Sequence, residues 1–317
     1  MKLKLTLASL LTLAAAPAAA LDCDVGFRAF THHLGETCIP EQPQRIASLR
    51  GDSVTTPLLD IGAPIALTVM NRMEDGTTYI RGAVDIFGEA FIAESGVAYF
   101  SDRDPVDIEA LAAAGPDLII GRIWNEETLG QLEAIAPTVI IPPRMPYLDH
   151  LAWLADVSGS QQTFDTELAR YQDRIADAKA TIGDPSAITV SRFDVWEDGL
   201  WYYPNWGAID QVINDLGFAK PAIQAEATEG MNGVSVERMQ EFDGDVLIAS
   251  RAPRFGQTIP MLTEQWDQVA PFWRELGGVK SGNLYWYERD ILVGYTFESL
   301  DRSIDFLTAI TAGRDFN

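Results

Sequence analysis

Along the chain, short apolar runs alternate with amphipathic stretches, and one stretch dominates. From Gln161 to Ile182 (QQTFDTELARYQDRIADAKATI), Phe164, Leu168, Tyr171, Ile175, Ala178 and Ile182 recur every three or four residues, with charged and amide side chains between them. That spacing predicts a helix with one apolar stripe. No proline or glycine interrupts it, and Gly183-Asp184-Pro185 supplies a stop. At about 1.5 Å per residue such a helix spans roughly 30 Å, enough to bridge two lobes.

On its N-terminal side, apolar runs at 45–49 (RIASL), 66–70, 117–121 (DLIIG) and 138–141 read as strands, and 52–60, 107–114, 126–136 and 148–157 read as helices. Beyond it, strands are expected at 187–193, 246–250 (VLIAS) and 283–287, and helices at 208–216, 235–241, 259–269 and 298–311. Residues 71–97, rich in glycine, charge and aromatics, follow no period and are expected to form a loop-rich excursion. Strands alternating with helices imply parallel sheets covered on both faces. The predicted fold is therefore α/β: two lobes, each with a central mainly parallel sheet flanked by helices, joined by a single long α-helix. The expected division is 1–20 signal peptide, 21–43 N-terminal extension, 44–160 N-terminal lobe, 161–183 linking helix and 184–317 C-terminal lobe.

The two halves share a pattern. Asp107-Ile108-Glu109 followed by Asp117-Leu118-Ile119-Ile120 matches Ser235-Val236-Glu237 followed by Asp245-Val246-Leu247-Ile248 at a single offset of 128 residues. A capping residue, a glutamate and a strand-opening aspartate coincide, which suggests a repeated lobe.

At the N-terminus, Lys2 and Lys4, the apolar run from Leu5 to Ala16 and Ala18-Ala19-Ala20 read as a secretory signal, so the mature chain is expected to start at Leu21 and to be exported. The only cysteines, Cys23 and Cys38, fall in the N-terminal extension of an exported chain and favour a disulfide over metal or thiol chemistry. A lipid on Cys23 fits poorly, since Asp22 precedes it. The formal charge of −23 makes nucleic acid an improbable partner. The basic residues are 18 Arg and 5 Lys, a bias toward the planar, bidentate cation.

Ligands of open α/β sheets gather at the carboxyl ends of the strands. Just past the predicted strands stand Arg50, Arg72, Arg122 with Trp124, Arg251 and Arg254, while Arg192 lies within the strand that opens the second half. If the two lobes face each other, these arginines converge on a locally positive cleft. Trp196, Trp201, Tyr202, Tyr203 and Trp206 crowd the hairpin-like DVWEDGLWYYPNW, followed by Trp273, Trp286 and Tyr295. Trp201 and Tyr203 are assigned to the ligand, Trp286 and Tyr287 to packing. No GxSxG, HExxH or P-loop occurs. The three histidines, His32 and His33 in the extension and His150 alone, make no direct metal site.

The segments His32-x-x-Gly35-x-Thr37-x-Ile39-Pro40-x-x-Pro43-Gln44-Arg45-Ile46-x-Ser48-Leu49, Leu59-x-x-Gly62, Asp107-x-Glu109-Ala110-Leu111 and Gly115-Pro116-Asp117-Leu118-Ile119-Ile120 resemble the periplasmic substrate-binding proteins of iron-siderophore and vitamin B12 ABC importers. The resemblance implies two lobes on one long helix, little lobe closure, and an interlobe cleft for a ferric siderophore held without a protein cofactor or direct metal ligand. It also implies docking of Glu109 and Glu237 onto a membrane permease dimer, a periplasmic location, and no enzymatic activity; a monomer is assumed. Haem or cobalamin as ligand, and an exported hydrolase acting on a siderophore or glycan, are the alternatives.

Overall fold

The computed structural model describes residues 21–316, so the secretory signal assigned to 1–20 lies outside the described residues. The chain opens with an antiparallel hairpin of β1 (Phe27–His32) and β2 (Gly35–Pro40), stapled by the Cys23–Cys38 disulfide. Then come β3 (Ile46–Ser48), β4 (Ile65–Arg72), β5 (Thr78–Tyr79), β6 (Ala98–Asp102), β7 (Leu118–Gly121) and β8 (Thr138–Ile140). Apart from β5, which pairs antiparallel with the end of β4, they form a parallel sheet in the order β6-β4-β3-β7-β8. The order reverses between β3 and β7, so a crevice opens at their carboxyl ends.

After the long helix Gln161–Ile182, a second parallel sheet is built from β9 (Val190–Arg192), β13 (Val246–Arg251) and β14 (Leu284–Glu288) in the order β14-β13-β9. An antiparallel meander of β10 (Asp194–Trp196), β11 (Gly199–Tyr202) and β12 (Met231–Val234) lies beside it. The two lobes and the single linking helix are thus those the hydrophobic pattern predicts. The strand β6 is new, and the 71–97 excursion is more ordered than its composition suggests, with β5 and two short helices, Ala83–Phe87 and Glu89–Glu94. Glycines at 82 and 88, both at positive φ, set off those helices and break any longer period.

Strand alternation divides the core. Ile46, Leu118, Ile120, Val190, Val246 and Ile248 point to one cluster that also takes in Phe164, Tyr171, Ile175 and Ala178 of the linking helix. Their neighbours Ala47, Ile119, Leu247 and Ala249 face two separate clusters on the opposite sheet faces. One continuous core therefore runs beneath both lobes. The linking helix adds polar ties to the closing helix Phe297–Thr311, from Arg170 and Arg174 to Asp301 and from Arg174 to Asp305, and Tyr171 donates to Asp215 at 2.6 Å.

The repeated aspartates have a shared structural task. Asp117 accepts the amides of Gln44 and Arg45 at the entry of β3, and Asp245 accepts that of Thr189 at the entry of β9. Each pins the start of its lobe's first parallel strand to the strand beside it.

Arg192 is buried beneath the second lobe. It makes a fork to Asp210 at 2.8 and 3.0 Å, with side chains only 3% and 1% exposed, and it also donates to the carbonyl of Tyr203. It is a structural residue, and Asp210 in turn accepts the amide of Trp206 at 2.8 Å. Asp210→Ala, which strands that guanidinium in the core, is expected to cost about 3–5 kcal/mol, read by urea denaturation.

Candidate functional site

Two lobes whose strand ends face each other leave a crevice, and both lobes furnish its walls. Its first compartment, about 250 Å3, is lined from the N-terminal lobe by Arg50, Asp52, Ser53, Arg81 and Arg122. The opposite wall carries Trp206, Arg289, Asp290 and Tyr295. Arg50 and Asp52 follow β3, Arg50 just before and Asp52 within the wide helical turn Gly51–Thr55, and Arg122 follows β7; these are the two strands that flank the point where strand order reverses.

The arginines are held in place. Arg50 Nε donates to Asp52 at 2.7 Å and its terminal nitrogen does so at 3.1 Å; Arg122 donates to the Ser53 hydroxyl at 2.8 Å. Arg81 lies between the lobes, 3.9 Å from Asp52 and 3.3 Å from Asp290. Burial works to raise the Asp52 carboxyl, but the charge and hydrogen bond of Arg50, with Arg81 and Arg122 behind it, bring it below the usual carboxylate range. Burial also draws the Arg122 guanidinium down and pushes the Tyr295 hydroxyl up. Four guanidiniums against two carboxylates leave the compartment net positive inside an acidic protein.

A second compartment, about 570 Å3, shares Tyr295 as a wall and is lined by Arg144, Met145, Tyr147, Tyr203, Asn205 and Glu229 among others. Tyr295 stacks on Tyr147 with ring centres 5.2 Å apart, and the Tyr147 hydroxyl is held at 2.8 and 2.9 Å from the carbonyls of Gly294 and Thr296. Tyr203 stacks on Trp206 at 4.7 Å, so one aromatic pair runs from the second compartment into the first. Two glycines permit this packing. A Cβ at Gly230 would stand 2.3 Å from the Tyr203 ring, and one at Gly207, where φ is +68°, would meet the Val293 carbonyl at 2.3 Å.

The structure brings Arg50 and Arg122 into the cleft and Tyr203 into its second compartment. It does not bring the others. Arg72, at the end of β4, pairs with Asp102 on the surface at 2.9 Å; Arg251 pairs with Glu288 at 3.2 Å; and Arg254 reaches across to Asp85 at 2.7 Å and lies over the Tyr79 ring, joining the lobes without lining the cavity. Trp201 lines neither compartment and donates to Asp198 at 2.7 Å. Trp124 lies in the turn Ile123–Thr128, its side chain outside the described residues. His150 is buried behind the cleft, with Nε2 2.7 Å from the Ser53 carbonyl. Tyr287 is buried and Trp286 packs on Trp266, as structural residues do.

Asp52, Arg81, Trp206, Arg289, Asp290 and Tyr295 are additions to the site. Arg289 carries the same signal as Arg50 and Arg122, a position just past a parallel strand. Arg81 sits in the stretch without a period and carries none. Glu109 and Glu237 are both exposed at the starts of their helical turns, behind Asp107 and Ser235, whose side chains accept the amides of Ala110 and Glu237. Neither glutamate is in an ion pair among the described residues.

A cationic and aromatic cleft between two α/β lobes on one helix is that of a substrate-binding protein. The chain belongs to the family described as "Periplasmic binding protein", which matches residues 82–289. That family is one of binding proteins, so the hydrolase reading falls. The chain is similar to a probable siderophore-binding lipoprotein, YfiY, of Bacillus subtilis, 27% identical over 81% of this chain and 79% of the relative. It is also similar to the iron(3+)-hydroxamate-binding protein YxeB of the same organism, at 24% identity over 89% and 84%. In fold it resembles Staphylococcus aureus SirA complexed with staphyloferrin B, with a TM-score of 0.72, 20% identity, and coverage of 89% of this chain and 97% of that one.

Burial holds the His150 imidazole down at about 4, against the opposing pull of its bond to Ser53. The unfolded chain, with a histidine near 6.5, binds the extra proton first, so the stability this group contributes is present above pH 6.5 and is lost as pH falls toward 4. Urea denaturation across that window is expected to show the wild type losing about 3 kcal/mol more than His150→Phe, which has nothing to titrate there.

Proposed function

We propose that this protein captures a ferric siderophore between its lobes and delivers it to an ABC-type permease dimer for iron uptake. The observation that carries the reading is the cleft itself: Arg50, Arg81, Arg122 and Arg289 in one compartment of a chain of net charge −23, beside Trp206, Tyr295 and Tyr203. An anionic organic chelate matches that lining in charge and in shape. The curated relatives named for siderophore and iron-hydroxamate binding support it. Iron is substrate here, held through its chelator: Asp52 and Asp290 in the first compartment each pair with an arginine, and Glu229 in the second pairs with Arg144. Haem would call for a histidine or tyrosine on iron; His150 is buried behind the cleft, which leaves that role to the cleft tyrosines, and haem is therefore included in the titration below.

The proposal takes 44–160 and 184–317 as the lobes and 161–183 as the link, in a monomer free in the periplasm. Two of the relatives are named as lipoproteins, but here Cys23, the cysteine nearest the expected cleavage point, is committed to the bond with Cys38. Little lobe closure is proposed, because a continuous core and the Arg254–Asp85 and Arg81–Asp290 pairs already join the two sides.

Trp206 makes the site its own reporter. Titrating the mature protein with ferric siderophores, haem and cobalamin is expected to give saturable tryptophan quenching by one ferric chelate, recovered intact, and Arg122→Ala is expected to weaken it about tenfold to a hundredfold. Quenching by none of them, or a cleaved ligand, overturns the reading.

Permease docking by Glu109 and Glu237 is a separate proposal. Glu109→Arg and Glu237→Arg are expected to leave the titration unchanged while abolishing iron uptake in cells; normal uptake by both variants would remove these residues from the docking face.

A further inference from the structure

The second compartment has more than twice the volume of the first, about 570 against 250 Å3, and differs from it in charge. Its charged lining residues are Arg144, from the N-terminal lobe, and Glu229, from the C-terminal lobe. They stand 3.6 Å apart with side chains 87% and 74% exposed, and neither side chain has another hydrogen bond or ion pair among the described residues. An exposed pair of long side chains holds only weakly in water. The first compartment is different, since Arg50, Arg81 and Arg122 are fixed on Asp52, Asp290 and Ser53, which are buried or half-buried.

The backbone at Arg144 is not relaxed. Its φ is +59°, and the other non-glycine residue at positive φ among the described residues, Asn205 at +61°, lines the same compartment from the opposite lobe. Conformations that side chains avoid persist where the surrounding chain imposes them, and they gather at positions that contact ligands. Here Pro142, Pro143 and Pro146 restrict the turn on both sides of Arg144. A stiff turn therefore presents an exposed guanidinium at the cleft, and its one partner is loosely held.

Resting on the siderophore reading above, we propose that Arg144 is a specificity-determining residue: it takes a free carboxylate of the ferric chelate, one that does not bind iron, and Glu229 is the stand-in that the ligand displaces. Glu229 already shows that a carboxylate fits there. The planar guanidinium can receive a carboxylate on two N–H groups, and exchanging one carboxylate for another leaves its charge balanced. The ligand's carboxylate gains over Glu229 because the rest of the chelate is held against Tyr203 and Tyr295, so no long side chain has to be ordered to present it. Glu229, mostly exposed, is released to solvent. The substrate class is therefore a ferric siderophore with a free carboxylate, whose body lies on the aromatic wall shared by the two compartments. A chelate without that group leaves the Arg144–Glu229 pair closed and gains nothing from it.

The test is calorimetric titration with a matched pair of iron complexes: ferrioxamine B acylated on its amine with a succinyl group, which leaves a free carboxylate, or with an acetyl group, which leaves none. The wild type is expected to favour the succinyl complex by about threefold to tenfold. Arg144→Asn, which removes the cation and tolerates positive φ, is expected to erase that preference by weakening the succinyl complex alone. Glu229→Gln is expected to act in the opposite direction and strengthen the succinyl complex about threefold, while Glu226→Gln, on the same loop but outside the compartment, changes neither. Opposite signs are the mark of a displaced stand-in. If Arg144→Asn and Glu229→Gln weaken both complexes by one factor, the pair is a latch between lobes and the proposal is overturned; equal binding of the two complexes by the wild type, or unchanged affinities in both variants, also overturns it. If neither complex binds, the same two variants are read on whichever ferric chelate quenches the tryptophan fluorescence: a chelate with no free carboxylate overturns this subsite alone, and quenching by no chelate overturns the siderophore reading with it.

Discussion

Guanidinium groups crowded into one cavity repel one another, at about 4 kcal/mol for a pair 4 Å apart at the effective dielectric of a protein surface. The cleft exists because Asp52 and Asp290 are built in among them. Asp52 comes from the turn after β3 and Asp290 from the end of β14, and Arg81, from neither strand, reaches toward both. The network is therefore also a connection between lobes. Its surplus of positive charge matters because the surrounding surface is acidic: an anion repelled by most of the molecule is drawn to the crevice where arginines outnumber carboxylates.

The same crevice is kept in register by contacts outside it. Asp60, at the end of helix Thr56–Asp60 in the first lobe, accepts the amide of Phe297 at 2.6 Å and so caps the closing helix of the second. Burial pushes that carboxyl up to about 7 even though the amides oppose it. Just upstream, Tyr147 fastens the carbonyls on either side of Tyr295, and Arg302 of the closing helix donates to the Ile86 carbonyl at 3.0 Å. With a common core below, these ties make large hinge motion costly, because packed interiors resist continuous deformation.

The linking helix was legible to the residue, since an uninterrupted 3.6-residue period and a glycine stop are local properties. The repeated Asp117 and Asp245 were legible as a pattern, and their reason, pinning the amides of an adjacent strand, appears only in the fold. The site was half legible. Position after a parallel strand tells which edge an arginine occupies, but not which carboxylate will reach it first. Arg72, Arg251 and Arg254 are neutralised by Asp102, Glu288 and Asp85, partners 30, 37 and 169 residues away along the chain. Such pairings are set by tertiary approach. Arg81 shows the converse, a cleft cation supplied by a stretch whose glycines erase the period that would have placed it.

The two lobes share a building pattern yet do not contribute alike, and the reason lies at their equivalent strand ends. In the first lobe the ends of β3 and β7 are open to the crevice and present Arg50 and Arg122. In the second, the matching strands β9 and β13 end in Arg192, buried on Asp210, and Arg251, paired with Glu288, beside the β10–β11 hairpin. Those positions are spent on structure. The second lobe instead reaches the cleft through residues that follow its outer strand and through the start of helix Gly207–Leu216, which supply Arg289, Asp290, Tyr295 and Trp206. One wall therefore presents charge from strand ends, while the other presents aromatic faces and a mixture of donors and one acceptor. An anion meets guanidinium on both walls, from strand-end arginines on the first and from Arg289 beside the aromatic faces on the second.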